Sequence, residues 1–530
     1  MRKWFLVVPG VVLIAAMGLL AVAPAAPEAA APAPAPPPAP APAAALQADL
    51  DRIFADAGLP KTLVGVRVIF LAGPASAKAT ADKPGGAAEV LYSARADQPM
   101  VPASTMKLVT TAACLDRFGP EWRIRTYVGR VPAAQGGDAK WDLAVIGGGD
   151  PNFSGRSFSG DSVGAFRLWA GALKARGIAA LGRIILDDSL FDNVIQHPHW
   201  PAGQRAEWYE APVSALSIND SCVDVRIAPG KPGEPAIVSV QPPGDYVRLE
   251  GAIMTTAQRK EHNFSIQRLG EGSPGGKMRL RLGGKYWAGA AEATEFRALI
   301  DPTMTFGAAL AEALRAEGIA VAGPVTRDRL VDTGGRTRGD FECDIVHASR
   351  LDTTIAVANK RSQGFYAECL LKLLGAFART PTPDTPLPPR QGTWPGGVAE
   401  AERWLQERGI PTAGCRMDDG SGLSKENRLT ALAVTELLRV MYERHGETFV
   451  QTLAVAGQEG SLAKRMRGTP AEGRVFGKTG YVLGTSALSG YVRTRTGRMA
   501  IFSIIMNDVR GQTGKARDAQ DKVCLRLVDL

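Results

Sequence analysis

The sequence predicts a multi-domain α/β protein whose helix-and-strand body is interrupted by a β-rich insertion. Three observations carry that reading. Apolar residues recur at helical spacing near the start of the chain and again over its last third. Short β-branched runs broken by Gly and Pro fill the middle, from about Trp122 to Val346. The chain has 530 residues, 45% of them hydrophobic and 22% charged, which allows roughly two to four ordinary domains.

The elements follow in order. Arg2 and Lys3 precede an apolar stretch from Trp4 to about Val22, and small residues follow it. That layout makes residues 1–26 a signal peptide or, given the length of the apolar stretch, an uncleaved N-terminal anchor. Either way the rest of the chain is exported, to the periplasm or cell envelope, and touches a membrane only through that anchor. Residues 27–45 are an Ala/Pro-rich linker, too poor in large apolar groups to build a core and biased to extended forms. Leu46 to Gly58 reads as an amphipathic helix, Val64 to Leu71 as a strand and Leu91 to Tyr92 as part of a second. The Ala-, Gly- and Lys-rich segment 72–88 between them reads as a surface loop.

Pro102-Ala103-Ser104-Thr105-Met106-Lys107 then runs into Leu108 to Phe118, apolar nearly all round and so predicted to be a central buried helix. Beyond it come β-like runs at Asp142 to Ile146, Arg183 to Asp187, Val223 to Ile227, Ala236 to Val240 and Met278 to Leu282, with one helix around Ser162 to Arg176. Helices return at Phe365 to Leu374, Val398 to Arg408, Ala431 to Arg444 and Lys515 to Val528. A hairpin is expected from Ala487 to Thr494 and Met499 to Asn507, turned at Arg495 to Gly497. The expected division is 46–125 and 346–530 for the two parts of the body, with 126–345 inserted.

The net charge of +9 comes from scattered Lys and Arg, without the basic run or aromatic-basic motif that nucleic acid demands. None of the six cysteines forms a CxxC pair, and their spacing dictates no disulfide. The five histidines show no HExxH spacing, so no metal or cofactor is expected.

Two short motifs carry chemistry. Ser104 and Lys107 are three apart, so on a helix they share a face and the amine lies beside the hydroxyl. A desolvated Lys can activate such a Ser as nucleophile, and a helix start offers free N–H groups to an oxyanion. The competing reading is an N-cap Ser with an exposed Lys, but this Lys enters a stretch that should be buried. The second motif is Lys478-Thr479-Gly480, followed by Tyr481 and lying just before the apolar hairpin. Lys478 and Thr479 suit a substrate carboxylate, and Gly480 allows close approach to a strand edge. Each motif alone is weak. Together, SxxK early and KTG late form the layout of the serine penicillin-recognising enzymes.

Here the sequence resembles the low-molecular-mass class C penicillin-binding proteins, the D-alanyl-D-alanine carboxypeptidase/endopeptidases. Further segments carry the resemblance: Gly148-Gly149-Asp150-Pro151, Ala215 to Asp220, Tyr366 to Leu370, Asp419-Gly420-Ser421-Gly422-Leu423-Ser424 and Ala487 to Tyr491. The resemblance implies a transpeptidase/β-lactamase-like domain interrupted by two accessory domains. It implies Ser104 as the acylated nucleophile, Lys107 as its base, and Lys478 and Thr479 as holders of the substrate carboxylate. The backbone N–H groups of Ser104 and Tyr481 would form the oxyanion hole. The implied partners are peptidoglycan stem peptides and cross-links, and β-lactam antibiotics.

One motif departs from the family's Ser-Asp-Asn. The matching stretch is Ser362-Gln363-Gly364. Ser362 can still relay a proton between Lys107, Lys478 and the leaving amine. Gly364 lacks the amide that would bind substrate, a loss of about 1.5–3 kcal/mol unless Gln363 or a water substitutes. That departure motivates an alternative, a weakly active or non-catalytic peptidoglycan-binding homologue. A β-lactamase or esterase is the third reading, opposed by the insertion and by the lack of an ExxxN-type carboxylate motif. Asp419 to Ser424 and Gly149-Asp150-Pro151 read chiefly as structural turns.

Overall fold

The computed structural model describes residues 42–530 apart from 60–61, 72–87, 134–138, 271–275, 333–334 and 379–389. The leader, nearly all of the linker and the expected 72–88 loop therefore lie outside the described residues. Among the described residues no helix is long and apolar enough to cross a membrane.

Strands from both ends of the chain form one antiparallel six-stranded sheet. Its order is Ala454–Val455, Val475–Val482, Thr485–Arg493, Met499–Asn507, Leu63–Phe70 and Glu89–Ala94. Both faces are covered, which explains the almost unbroken apolar run of the Met499–Asn507 strand. Phe502 and Ile504 face the helices Pro42–Asp56 and Thr513–Val528. Ile501 and Tyr491 face a helical layer that contains Lys107–Phe118, Gly364–Phe377, Trp394–Glu407 and Ala431–His445. The Lys107–Phe118 helix is buried over most of its length, as its all-round apolar character predicts.

The interruption begins and ends on neighbouring strands. Arg123–Pro132 pairs antiparallel with Glu342–Arg350, so the inserted segment leaves and re-enters the body at one place. These two strands join Trp141–Ile146, Ile184–Asp187 and Val325–Arg327 in a five-stranded sheet. Helices Gly164–Ala175 and Pro302–Ala316 pack with it around Phe166, Trp169 and Phe306. A second, separate cluster lies between a three-stranded sheet centred on Cys222–Ala228 and a four-stranded sheet centred on Met278–Trp287.

Among the described residues the insertion thus holds two helices of three turns or more, not one. The second was legible: Asp301 caps it by accepting the Met304 N–H at 3.1 Å, and Pro302 occupies its first turn. Helix Leu351–Lys360 was also missed, as were the paired strands Arg123–Pro132 and Glu342–Arg350. Arg123–Pro132 mixes Arg with apolar residues and Glu342–Arg350 mixes acidic, polar and small residues, so their signal is in the partner and not in the local sequence. All six cysteines are free.

Candidate active site

Ser104 sits in a short 3-10 turn, Ala103–Met106, that leads into the Lys107–Phe118 helix. Ala103 is held at φ +48°, a left-handed conformation costly for a non-glycine residue. The neighbouring loop explains why it persists. Gly422, at φ +82°, lies so close to the Ala103 carbonyl that any Cβ there would collide with it. The Asp419 to Ser424 loop therefore braces the nucleophile turn.

The same loop holds Lys107. Lys107 Nζ donates to Ser104 Oγ at 3.0 Å and to the Ser421 carbonyl at 2.7 Å. Glu368 in turn shapes that loop, accepting the Gly420 and Ser421 N–H groups at 2.9 and 2.7 Å and the Trp394 indole at 2.8 Å. Asp419 accepts from the Gly422 and Ser424 N–H groups and from the Asn427 and Trp200 side chains. Trp200 belongs to the insertion, so the loop is tied to the inserted region as well.

Lys478 lies within the strand Val475–Val482, not in a turn before it. Its amine donates to Ser362 Oγ at 2.7 Å and to the Thr479 carbonyl at 2.7 Å. Ser362 is the left-handed residue, φ +57°, between helices Leu351–Lys360 and Gly364–Phe377. Gly480 has no room for a side chain, because a Cβ would lie 2.7 Å from the Pro102 carbonyl. The close approach that this glycine permits is thus the protein's own nucleophile turn against the strand. Thr479 Oγ1 donates to Ser461 Oγ at 2.8 Å, and Tyr481 is exposed.

The electrostatics separate the two lysines. Both are buried. Burial pushes Lys107 down to about 8, and the Glu368 and Asp419 carboxylates keep it from falling further. Burial and then the positive charge of Lys107 push Lys478 well below the ordinary amine range. Glu368 is pushed up to about 7 by burial and by Asp419, against the N–H groups that favour its charge.

Ser104, Lys107, Ser362 and Lys478 are therefore brought together, with Thr479 beside them. Gln363 is turned elsewhere: its amide donates to Asp220 Oδ2 at 2.8 Å, in the insertion. Arg156 pairs with the same carboxylate. Asn219 is committed within the insertion, to the Cys222 carbonyl and Asp224. Gly149 to Pro151 is a structural turn: buried Asp150 accepts from Asn152 and Ser349. Asn152 bonds Thr354, on the helix that leads to Ser362. Sequence reasoning missed Glu368, Asp419, Ser421 and Ser461 as supports of the site. Glu368, Asp419 and Ser421 lay inside the quoted Tyr366 to Leu370 and Asp419 to Ser424 strings, whereas Ser461 had no local signal.

Residues 47–527 match the model of the D-Ala-D-Ala carboxypeptidase 3 (S13) family. A D-alanyl-D-alanine carboxypeptidase of Actinomadura sp. (strain R39) is 31% identical over 500 residues, 91% of this chain and 84% of that one. Carboxypeptidase DacB of Mycolicibacterium smegmatis is 27% identical over 440 residues, covering 80% of this chain and 75% of that one. The crystal structure of penicillin binding protein 4 (dacB) from Haemophilus influenzae superposes with a TM-score of 0.69 at 19% identity, over 89% of this chain and 97% of that one. The chain belongs to the D-Ala-D-Ala carboxypeptidase 3 (S13) family and is a serine-type D-Ala-D-Ala carboxypeptidase with the multi-domain α/β fold.

Proposed function

We propose that the enzyme cleaves the D-alanyl-D-alanine ends and cross-links of peptidoglycan stem peptides in the cell envelope through an acyl-enzyme on Ser104. The observation that carries this reading is a pair of Ser–Lys contacts, Ser104 with Lys107 at 3.0 Å and Ser362 with Lys478 at 2.7 Å, near enough for the charge of Lys107 to act on Lys478.

Neutral Lys107 takes the Ser104 proton as Oγ attacks the carbonyl carbon of the penultimate D-Ala. The oxyanion is stabilised by the backbone N–H groups of Ser104 and Tyr481. The C–N bond breaks, and the leaving amine receives a proton through Ser362 Oγ. Water then cleaves the ester, with Lys107 again the base. Lys478 and Thr479 hold the substrate carboxylate. That contact also has an electrostatic consequence. A bound carboxylate favours the charged form of Lys478, which burial otherwise disfavours. Gln363 is held by Asp220, in the insertion.

The non-catalytic alternative is not favoured, because the two Ser–Lys pairs are intact despite Gly364. The test is D-alanine release from a pentapeptide ending in D-Ala-D-Ala and cleavage of a cross-linked muropeptide. The parent releases D-alanine and opens the cross-link, while Ser104→Ala does neither. Equal release by both proteins would remove Ser104 from the mechanism.

A further inference from the structure

Away from the catalytic serines, the insertion and the body meet at a second cluster of chemically capable side chains. His197 and His199 stand two apart in His197-Pro198-His199-Trp200, and Asp418 immediately precedes the Asp419 that anchors the bracing loop. One ligand atom from each of His197, His199 and Asp418 can be chosen so that all lie within 4.8 Å of one another. His199 Nδ1 lies 3.0 Å from both Asp418 carboxylate oxygens. His197 Nδ1 lies 3.8 Å from Asp418 Oδ2. A tetrahedral ion with metal–ligand bonds of ~2.0–2.1 Å sets its ligands roughly 3.3 Å apart, between those two values.

The hydrogen bonding points the same way. The His199 backbone N–H donates to His197 Nδ1 at 3.3 Å, so that nitrogen carries no proton of its own. To ligate an ion, its one lone pair would turn from that N–H toward Asp418 and His199. Asp418 is also oriented from behind, as Ser424 Oγ donates to its Oδ2 and Asn427 Oδ1 accepts its N–H at 2.8 Å. The Trp200 and Trp394 rings wall the His197 side, with centroids 6.0 and 5.2 Å from it. His199 opens on a cleft of about 430 Å³, shared with Arg416, Leu423, Lys425 and Glu426. The cation Arg416 is paired with Glu426 at 3.2 Å at that rim.

We propose that His197, His199 and Asp418 form a binding site for one divalent borderline metal ion of the zinc class, with its fourth position open to the cleft. Two imidazoles and a carboxylate are the donor set such ions prefer over the all-oxygen sets of Mg²⁺ and Ca²⁺. The spacing was overlooked in the sequence because His199 and Asp418 stand 219 residues apart. The ion ties segment 197–200 of the insertion to the loop whose Ser421 carbonyl holds Lys107. These three residues position that loop and do not touch substrate.

The experiment is calorimetric titration of the purified, chelator-treated protein with Zn²⁺, beside His199→Ala and Asp418→Asn. A parallel titration with Co²⁺ reads the visible absorption of a tetrahedral site. The expected result is one Zn²⁺ per chain in the parent, an intense Co²⁺ band, and a melting temperature raised by Zn²⁺. In both variants the affinity falls by roughly 100-fold, and the band and the thermal shift disappear. His199 is half-exposed, so His199→Ala should remain folded, which retained benzylpenicillin labelling verifies. No Zn²⁺ uptake by the parent at micromolar concentration overturns the proposal. So does uptake that both variants retain unchanged.

Discussion

The two Ser–Lys pairs look alike and are built differently. Ser104 and Lys107 lie on one turn of backbone, and two carboxylates, Glu368 and Asp419, stand behind the lysine. Ser362 and Lys478 come from segments 116 residues apart, and the charge acting on Lys478 is the repulsive one of Lys107. Burial lowers both lysines; neighbouring anions then restrain the shift of Lys107, and a neighbouring cation deepens that of Lys478. The comparison teaches a division of labour. The first pair is poised to exchange a proton near neutral pH. The second has no ion-pair partner among the described residues.

Replacing Lys107 should break the comparison most severely. Lys107→Met removes the base but keeps the volume, and the rate of acylation by benzylpenicillin should fall by about 10²–10⁴-fold. In the parent the same rate should rise with pH and level off above about 8, because only the neutral amine accepts the proton. Below that pH the neutral fraction falls about tenfold per unit. A rate flat from pH 6 to 9 would assign the base elsewhere.

Gly364→Asn sharpens the second pair. A Cβ at 364 would lie 3.6 Å from Ser421 Cβ and 3.7 Å from the Tyr209 carbonyl, ordinary contact distances. The restored amide should speed acylation by roughly ten- to hundred-fold. An unchanged rate would mean that a water already fills the role.

Glu368→Gln has the smallest effect and reads the support of the first pair. Glu368 accepts from two backbone N–H groups and an indole, so an amide there sets a donor against donors. Thermal or denaturant unfolding should show a loss of about 1–3 kcal/mol. An unchanged midpoint would show that the loop is held by Asp419 alone.

The difference between the pairs also decides what the sequence could tell. Ser104 and Lys107 are legible because helical spacing puts residues three apart on one face. The buried helix after them is legible from its all-round apolar pattern. The six-stranded sheet was only half legible: the hairpin of Thr485–Arg493 and Met499–Asn507 was visible, but its pairing with Leu63–Phe70 crosses the whole insertion. Lys478 was visible as part of a motif, yet its place inside a strand and its contact with Ser362 were not. Glu368 and Asp419 read as a helical acid and a turn acid. Their role depends on burial around Lys107, and burial is a property of the packed chain. Arg123–Pro132 and Glu342–Arg350 are the clearest loss, since neither strand is strongly apolar and each is defined by the other.

The most direct measurement of the central claim is intact-protein mass spectrometry after incubation with benzylpenicillin, on the parent and on Ser104→Ala. The account predicts a single covalent adduct on the parent, mapped to Ser104, and none on Ser104→Ala. An adduct that survives in Ser104→Ala, or none on the parent or on Gly364→Asn, would contradict it.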